Sequence, residues 1–223
     1  MAYFTEKFFY GIFTFIVFLG IVLTAINVRA IQLPQGGVQF DTLKQTTLTV
    51  VDAALKKLNA AEALVQSNPN ISDEVKTDVI TLFNDVENAL LGYKADVEQT
   101  TTLEELKAVN QEIVAYLSAN KDVFKESFKK IKADIAQNAK IKAEEFKQKV
   151  EQIIVILKVT CPQEKDAIAE VEQQLSELQT HITALNAAIH AKDTVAMKKE
   201  MLAIETLMKA MIANMKQIEE SCL

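Results

Sequence analysis

An uncharged run of twenty-one residues, from Phe8 to Val28, constrains what the rest of the chain can be. At about 1.5 Å of rise per residue, a helix of this length spans about 30 Å, the thickness of the hydrocarbon core of a bilayer. A helix that is apolar on every side is typical of a membrane span rather than of a small water-soluble domain. We therefore interpret residues 1–30 as a signal peptide or a membrane anchor.

The two alternatives stay open because each is supported by one feature of the sequence. The small or β-branched residues of Val28-Arg29-Ala30 fit a signal-peptidase site. The length of the apolar run instead favours an anchor that stays in the membrane. In both cases we expect the rest of the chain to be extracytoplasmic, either membrane-anchored through Phe8–Val28 or secreted. Residues 31–40 contain a proline and a glycine pair and are predicted to be a linker.

The composition after residue 30 predicts a helical, acidic protein. This part carries 22 basic and 29 acidic residues, a net charge of −7, which argues against nucleic acid as a partner. The whole chain has no tryptophan and five glycines, none of them after Gly92. Since glycine and proline punctuate strands and turns, their scarcity predicts long helices.

Apolar residues that recur at steps of three and four predict five helices after the linker. Two of them span about residues 42–66 and 73–99, a long third spans 103–158, a fourth begins at Pro162, and the last follows a turn at 192–194. The predicted fold class is all-α, an elongated antiparallel helical bundle after an N-terminal hydrophobic helix. We expect two three-helix units, residues 41–120 and 121–223, that share the long middle helix.

Capping residues mark the predicted helix ends. Side chains that accept hydrogen bonds from free amides precede four of the helices, and Thr102 with Glu105 forms a capping box. The residues Ser118 to Asp122 include several N-cap formers, which predicts a break or kink in the long third helix. The sequence Asn70-Ile71-Ser72 also matches a glycosylation acceptor in an exposed loop. The predicted caps are Asp41, Asn70 or Ser72, Thr102 and Asp193.

The two cysteines, Cys161 and Cys222, are the candidate site residues of the chain. Their midpoint coincides with the predicted turn at 192–194, so an antiparallel hairpin brings them to the same end. In an oxidising compartment we expect them to form a disulfide.

No arrangement of residues predicts catalysis. The chain has no HExxH or ExxH pattern, no phosphate-binding glycine motif and no nucleophile elbow. His181 and His190 are nine residues apart and fall on opposite faces of a helix. A methionine stripe from Met197 to Met215 is interpreted as adaptable core rather than as a Cu(I) site. We therefore expect no enzyme activity, no metal and no cofactor.

One section, ISDEVKTDVITLFNDVENALLGYKADVEQTTTLEELKAVNQEI, has a capped helix, a threonine-rich turn and a helix restart. In this it resembles uncharacterised exported all-helical proteins of small-genome bacteria. The resemblance implies an exported helical protein and assigns no functional residues.

We expect a structural or binding role at the cell surface, with a protein partner or self-association. The alternative is an extracytoplasmic carrier of an apolar ligand or lipid within the bundle. A carrier should contain a deep apolar cavity, whereas a scaffold should be tightly packed.

Overall fold

The computed structural model describes residues 40–222, which form five α-helices and one short 3-10 turn. The helices are α1 (Phe40–Ser67), α2 (Asp73–Gln99), α3 (Leu103–Thr160), α4 (Lys165–His190) and α5 (Thr194–Cys222), and the 3-10 turn covers Pro162–Glu164. The predicted fold class, an all-α helical bundle, is confirmed. The N-terminal run Phe8–Val28 lies outside the described residues. Among the described helices, none has an apolar stretch long enough to cross a bilayer.

The described chain divides into two compact units at Phe128 and Lys129, within α3. In the first unit α1 packs on α2, and aromatic pairs join α2 to the first part of α3. The rings of Tyr93 and Tyr116 are 5.8 Å apart, edge to face. In the second unit α4 packs on α5, and the Lys140 Nζ of α3 donates to the Asn186 Oδ1 of α4 over 2.9 Å.

The predicted caps at three helix starts are confirmed. Ser72 accepts a hydrogen bond from the Val75 amide at the start of α2. Thr102 Oγ1 accepts from the Glu105 amide, and a Glu105 carboxylate oxygen accepts from the Thr102 amide in return. Hydrogen bonds to the Glu105 carboxylate from the Thr101 amide and hydroxyl, and then from the Thr102 amide, lower the pKa of Glu105. Asp193 Oδ1 accepts from two amides in the first turn of α5, at 3.0 Å each. The turn signals of the sequence therefore locate these ends correctly.

Asp41 is not the cap that the sequence predicted for the first helix. Because α1 already begins at Phe40, Asp41 lies inside the first turn. A carboxylate in that turn still interacts favourably with the positive end of the helix dipole. The C-terminal end of α2, which lies beside the start of α1, has a cap that the sequence did not reveal. Lys44 Nζ donates to the carbonyl oxygens of Glu98 and Thr100, at 2.8 Å each, where α2 ends.

The predicted break at Ser118–Asp122 is wrong, because α3 runs without interruption from Leu103 to Thr160. The Asn120 side chain does not cap a new helix but donates to the carbonyl oxygen of Tyr116, one turn earlier. Aromatic residues on both sides of the segment also pack on α2, since Phe124 contacts Phe83 as Tyr116 contacts Tyr93. Tertiary packing therefore outweighs the weak helix preference of the segment.

The glycosylation acceptor predicted for an exposed loop is buried. Asn70 is 4% exposed and Ile71 is 3% exposed. The Asn68 side chain folds back to accept from the Asn70 amide over 2.9 Å, which tightens the turn between α1 and α2. An oligosaccharide cannot be attached to Asn70 in this conformation.

The buried residues follow the apolar pattern of steps of three and four, but part of the buried side of α3 consists of alanines. In α3 the seam within the second unit includes Ala136, Ala139 and Ala143, while Phe146 is half-buried. In α5, Met197, Met201 and Met211 are buried, while Met208 and Met215 are half-buried. Part of the methionine stripe therefore lies in the core, and the rest lies at the edge of the core.

This difference in burial predicts unequal effects at two methionines of α5. Met211 is fully buried, so Met211→Ala should lower the free energy of unfolding by about 2–5 kcal/mol. Met211→Leu keeps the volume and should cost less than about 1.5 kcal/mol. Denaturant unfolding checks both values, with half-buried Met208→Ala as the control. Equal losses for Met208→Ala and Met211→Ala would contradict the assigned core.

Candidate functional site

The α4–α5 hairpin and the turn that leads into it contain both cysteines and the buried charge of the second unit. The 3-10 turn at Pro162 reverses the chain after α3, and the turn at Lys192 reverses it again. Among the described non-glycine residues, Lys192 is the one with a positive φ. The two reversals lay α5 along α4. Polar contacts between the two helices follow from this register, as where Asn214 donates to the Glu170 carboxylate over 3.1 Å.

Cys161 and Cys222 are joined in a disulfide at the open end of the hairpin, with their Cα atoms 5.7 Å apart. Cys161 is buried and 3% exposed, whereas Cys222 is partly exposed beside Gln163. The bond closes a loop whose ends are 61 residues apart in the sequence. In the chain-entropy model a loop of this size stabilises the fold by about 4 kcal/mol. The structure therefore supports the pairing that the cysteine positions predicted.

His181 and Glu200 form the most buried charged contact between α4 and α5. His181 Nδ1 lies 2.6 Å from Glu200 Oε2, and Glu200 is 8% exposed although it carries a carboxylate. Lys199 Nζ lies 3.7 Å from the other carboxylate oxygen. A buried carboxylate is costly unless it is paired and hydrogen-bonded, so the ring of His181 stabilises Glu200 in place.

The sequence contains a signal for this pair that was not used. It is the same signal that pairs the cysteines, namely an equal distance from the hairpin turn. His181 and Glu200 lie almost equally far from the hairpin turn, as Cys161 and Cys222 do. Glu200 stands beside the stripe positions Met197 and Met201, and a charged residue there gives no apolar signal of burial. The other histidine, His190, is exposed at the end of α4.

A histidine oriented by a carboxylate is also the base of hydrolytic triads, which need a nucleophile at the second ring nitrogen. Among the described residues, no hydroxyl or thiol is hydrogen-bonded to the His181 ring. Within residues 40–222, no three histidine, cysteine or acidic side chains form a group that could hold a metal ion. The geometry of the pair therefore supports a role in joining two helices.

Lys132 of α3 has a perturbed pKa in the same unit. Burial lowers its pKa, and the positive charge of Lys198 on α5 lowers it further. Lys132 is half-buried, as a lysine is when its aliphatic stem packs against the protein and its charged end reaches solvent.

A recess of about 520 Å³ lies outside the helical cores, along the first turns of α1. It is open to the surface, and four of its six lining residues have hydroxyl or amide side chains. A cavity that buries a lipid is instead largely enclosed by the protein. The recess is lined by Asp41, Thr42, Gln45, Thr46, Thr49 and Val50.

Comparison of the chain with protein-family models, with curated proteins and with solved structures finds no match in any of the three.

The His181–Glu200 pair predicts a measurable coupling between two substitutions. His181→Ala leaves the buried Glu200 carboxylate without its ring partner and should cost about 1–3 kcal/mol of unfolding free energy. In a Glu200→Gln background the same change should cost less, with a coupling energy of about 0.5–3 kcal/mol. Denaturant unfolding of the wild type, the two single variants and the double variant measures the four free energies of unfolding from which the coupling energy is calculated.

The exposed histidine provides the control for that cycle. His190→Ala should change stability by no more than about 0.5 kcal/mol. If His181→Ala costs the same in both backgrounds, the contact does not stabilise the hairpin.

Proposed function

We propose that the protein is an exported helical-bundle protein with a structural or binding role at the cell surface. Residues Phe8–Val28 hold it in the membrane or direct its export and are then removed. Two features in separate parts of the chain support this proposal, the uncharged run near the N-terminus and the disulfide at the C-terminus.

The disulfide is the observation that carries the proposal. Disulfides form and persist outside the reducing cytosol, and this one closes the hairpin at its open end. Cys161 is buried in the core, and neither cysteine belongs to a CxxC motif, so the bond resembles a structural staple and not a redox centre. A chain with such a staple has a physical reason to fold in an oxidising compartment.

A binding or scaffolding role agrees with the two packed units. The core of the first unit contains aliphatic and aromatic residues, such as Val65 and Phe83, and the core of the second is aliphatic and methionine-rich, with residues such as Leu178 and Met211. The recess beside α1 is open to the surface and does not enclose a ligand, which does not favour the alternative of an apolar-ligand carrier.

Mass analysis of the protein isolated from its native cells, together with fractionation, tests the proposal. We expect a disulfide-linked chain that either begins at Met1 and leaves the membrane only in detergent, or begins at Ile31 outside the cytoplasm. Alkylation before reduction should leave both cysteines unmodified, and alkylation after reduction should modify both. A Cys161→Ser and Cys222→Ser double variant controls for alkylation of side chains other than cysteine.

The opposite outcome is equally clear. An intact chain from Met1 in the soluble cytoplasmic fraction, with two thiols that react without reduction, would overturn the proposal.

A further inference from the structure

One buried layer in the core of the first unit is polar. Thr47 of α1 is 2% exposed, and Asn110 of α3 is 5% exposed. On α3 the neighbouring buried positions are Leu106 and Ile113, at 0% and 2% exposure. On α1 a buried aliphatic residue lies one turn before Thr47 and another lies one turn after it. Thr47 and Asn110 therefore form a polar layer between two apolar layers.

The amide of Asn110 has more hydrogen-bonding capacity than the helices satisfy. Its Oδ1 accepts a hydrogen bond from Thr47 Oγ1 over 3.2 Å. Its Nδ2 carries two N–H donors. Among the buried side-chain nitrogen and oxygen atoms of residues 40–222, this nitrogen is the one without a hydrogen-bond partner. Because a buried donor without an acceptor is costly, native proteins satisfy such groups with protein atoms or with internal water.

The hydroxyl of Thr47 is directed into the layer and not at its own helix. The hydroxyls of Thr46 and Thr49 donate to the carbonyl oxygen four residues earlier, at 2.7 and 2.8 Å. Thr47 instead donates across to α3, over a distance longer than the about 2.7–2.8 Å that hydroxyl donors prefer. Its oxygen also has lone pairs that can accept a hydrogen bond. The layer thus presents a donor on Asn110 and an acceptor on Thr47.

We propose that Thr47 and Asn110 bind one internal water molecule between α1 and α3. The water accepts a hydrogen bond from Asn110 Nδ2 and donates one to Thr47 Oγ1. If the amide is turned by 180°, Nδ2 donates to Thr47 and Oδ1 needs a donor, which the same water supplies. An anion can only accept and fits one of these orientations, and a single ion buried between apolar layers would be unpaired.

The third helix of the unit contributes an aliphatic side chain at this level. Lys44 of α1 donates to the carbonyl oxygen of Thr100, at the end of α2. Further along α1, Asp52 is paired with Lys94. Val97 lies between these two positions of α2 and is 0% exposed. The space at the layer is therefore closed by apolar side chains, which suits a small neutral molecule with two polar partners.

The bound water joins α1 to α3 by hydrogen bonds within an apolar core. It can leave only when the two helices separate locally, so its residence time measures the opening of the first unit. The proposal goes beyond the cell-surface role and does not depend on it.

Nuclear magnetic resonance of the full chain in deuterated detergent tests the site. We expect the side-chain amide protons of Asn110 in the wild type to show cross-relaxation with a long-lived water. In the rotating frame this signal is opposite in sign to that of chemical exchange. The water oxygen-17 relaxation dispersion of the same sample counts the long-lived waters without any contribution from hydroxyl protons.

A double variant, Thr47→Val with Asn110→Leu, removes the polar groups and keeps side chains of similar size. Its oxygen-17 dispersion should be smaller than that of the wild type by the contribution of one water. Thr46→Val is the matched control, because the Thr46 hydroxyl is exposed and bonds to its own helix, and it should leave the dispersion unchanged.

Three results would overturn the proposal. They are a wild-type Asn110 amide without cross-relaxation to water, a double variant that keeps the full dispersion, and an equal loss in Thr46→Val. The wild-type spectrum decides the matter by itself if the double variant does not fold.

Discussion

The structure depends on one constraint, which is that each helix has a single apolar stripe that must be buried against two others. A helix pair alone leaves part of both stripes exposed, and three helices close a core. In the first unit α1 and α2 supply two stripes, and in the second α4 and α5 do so. The third stripe comes from α3 in both cases, through Leu106 and Ile113 in one unit and Val150 and Ile154 in the other. The long helix is therefore the element on which both cores depend.

Much of this fold could be predicted from the sequence because local and tertiary preferences agree. The hydrogen bonds that the sequence specifies at Ser72, Thr102 and Asp193 occur at the helix starts. The turn at 192–194 and the cysteine positions together predict the hairpin and its disulfide. Where local and tertiary preferences conflict, the sequence misleads. The residues 118–122 resemble a turn, yet aromatic packing on α2 keeps them helical.

The buried polar groups could not be predicted, because they break the pattern from which the core was predicted. Glu200 lies among methionines on α5, and its burial depends on a histidine of another helix. In the first unit Thr47 donates to Asn110 Oδ1 over 3.2 Å, both side chains are buried, and Asn110 Nδ2 has no hydrogen-bond partner. Such contacts contribute less to stability than to the choice of register, since a shifted helix would leave them unpaired. The register between two helices, and hence such a contact, can be predicted only after the helices have been aligned with each other.

Helix α3 continues without a break through Ser118–Asp122, and amide hydrogen exchange at these residues measures that continuity. A helical amide is protected by its bond to the carbonyl four residues earlier, whereas a turn amide exchanges quickly. We expect the amides of 118–122 to exchange as slowly as those of residues 113–117, one turn earlier in α3. If these amides exchange as fast as those of the turn at Asn68–Asn70, then α3 is broken at 118–122, as the sequence alone predicts.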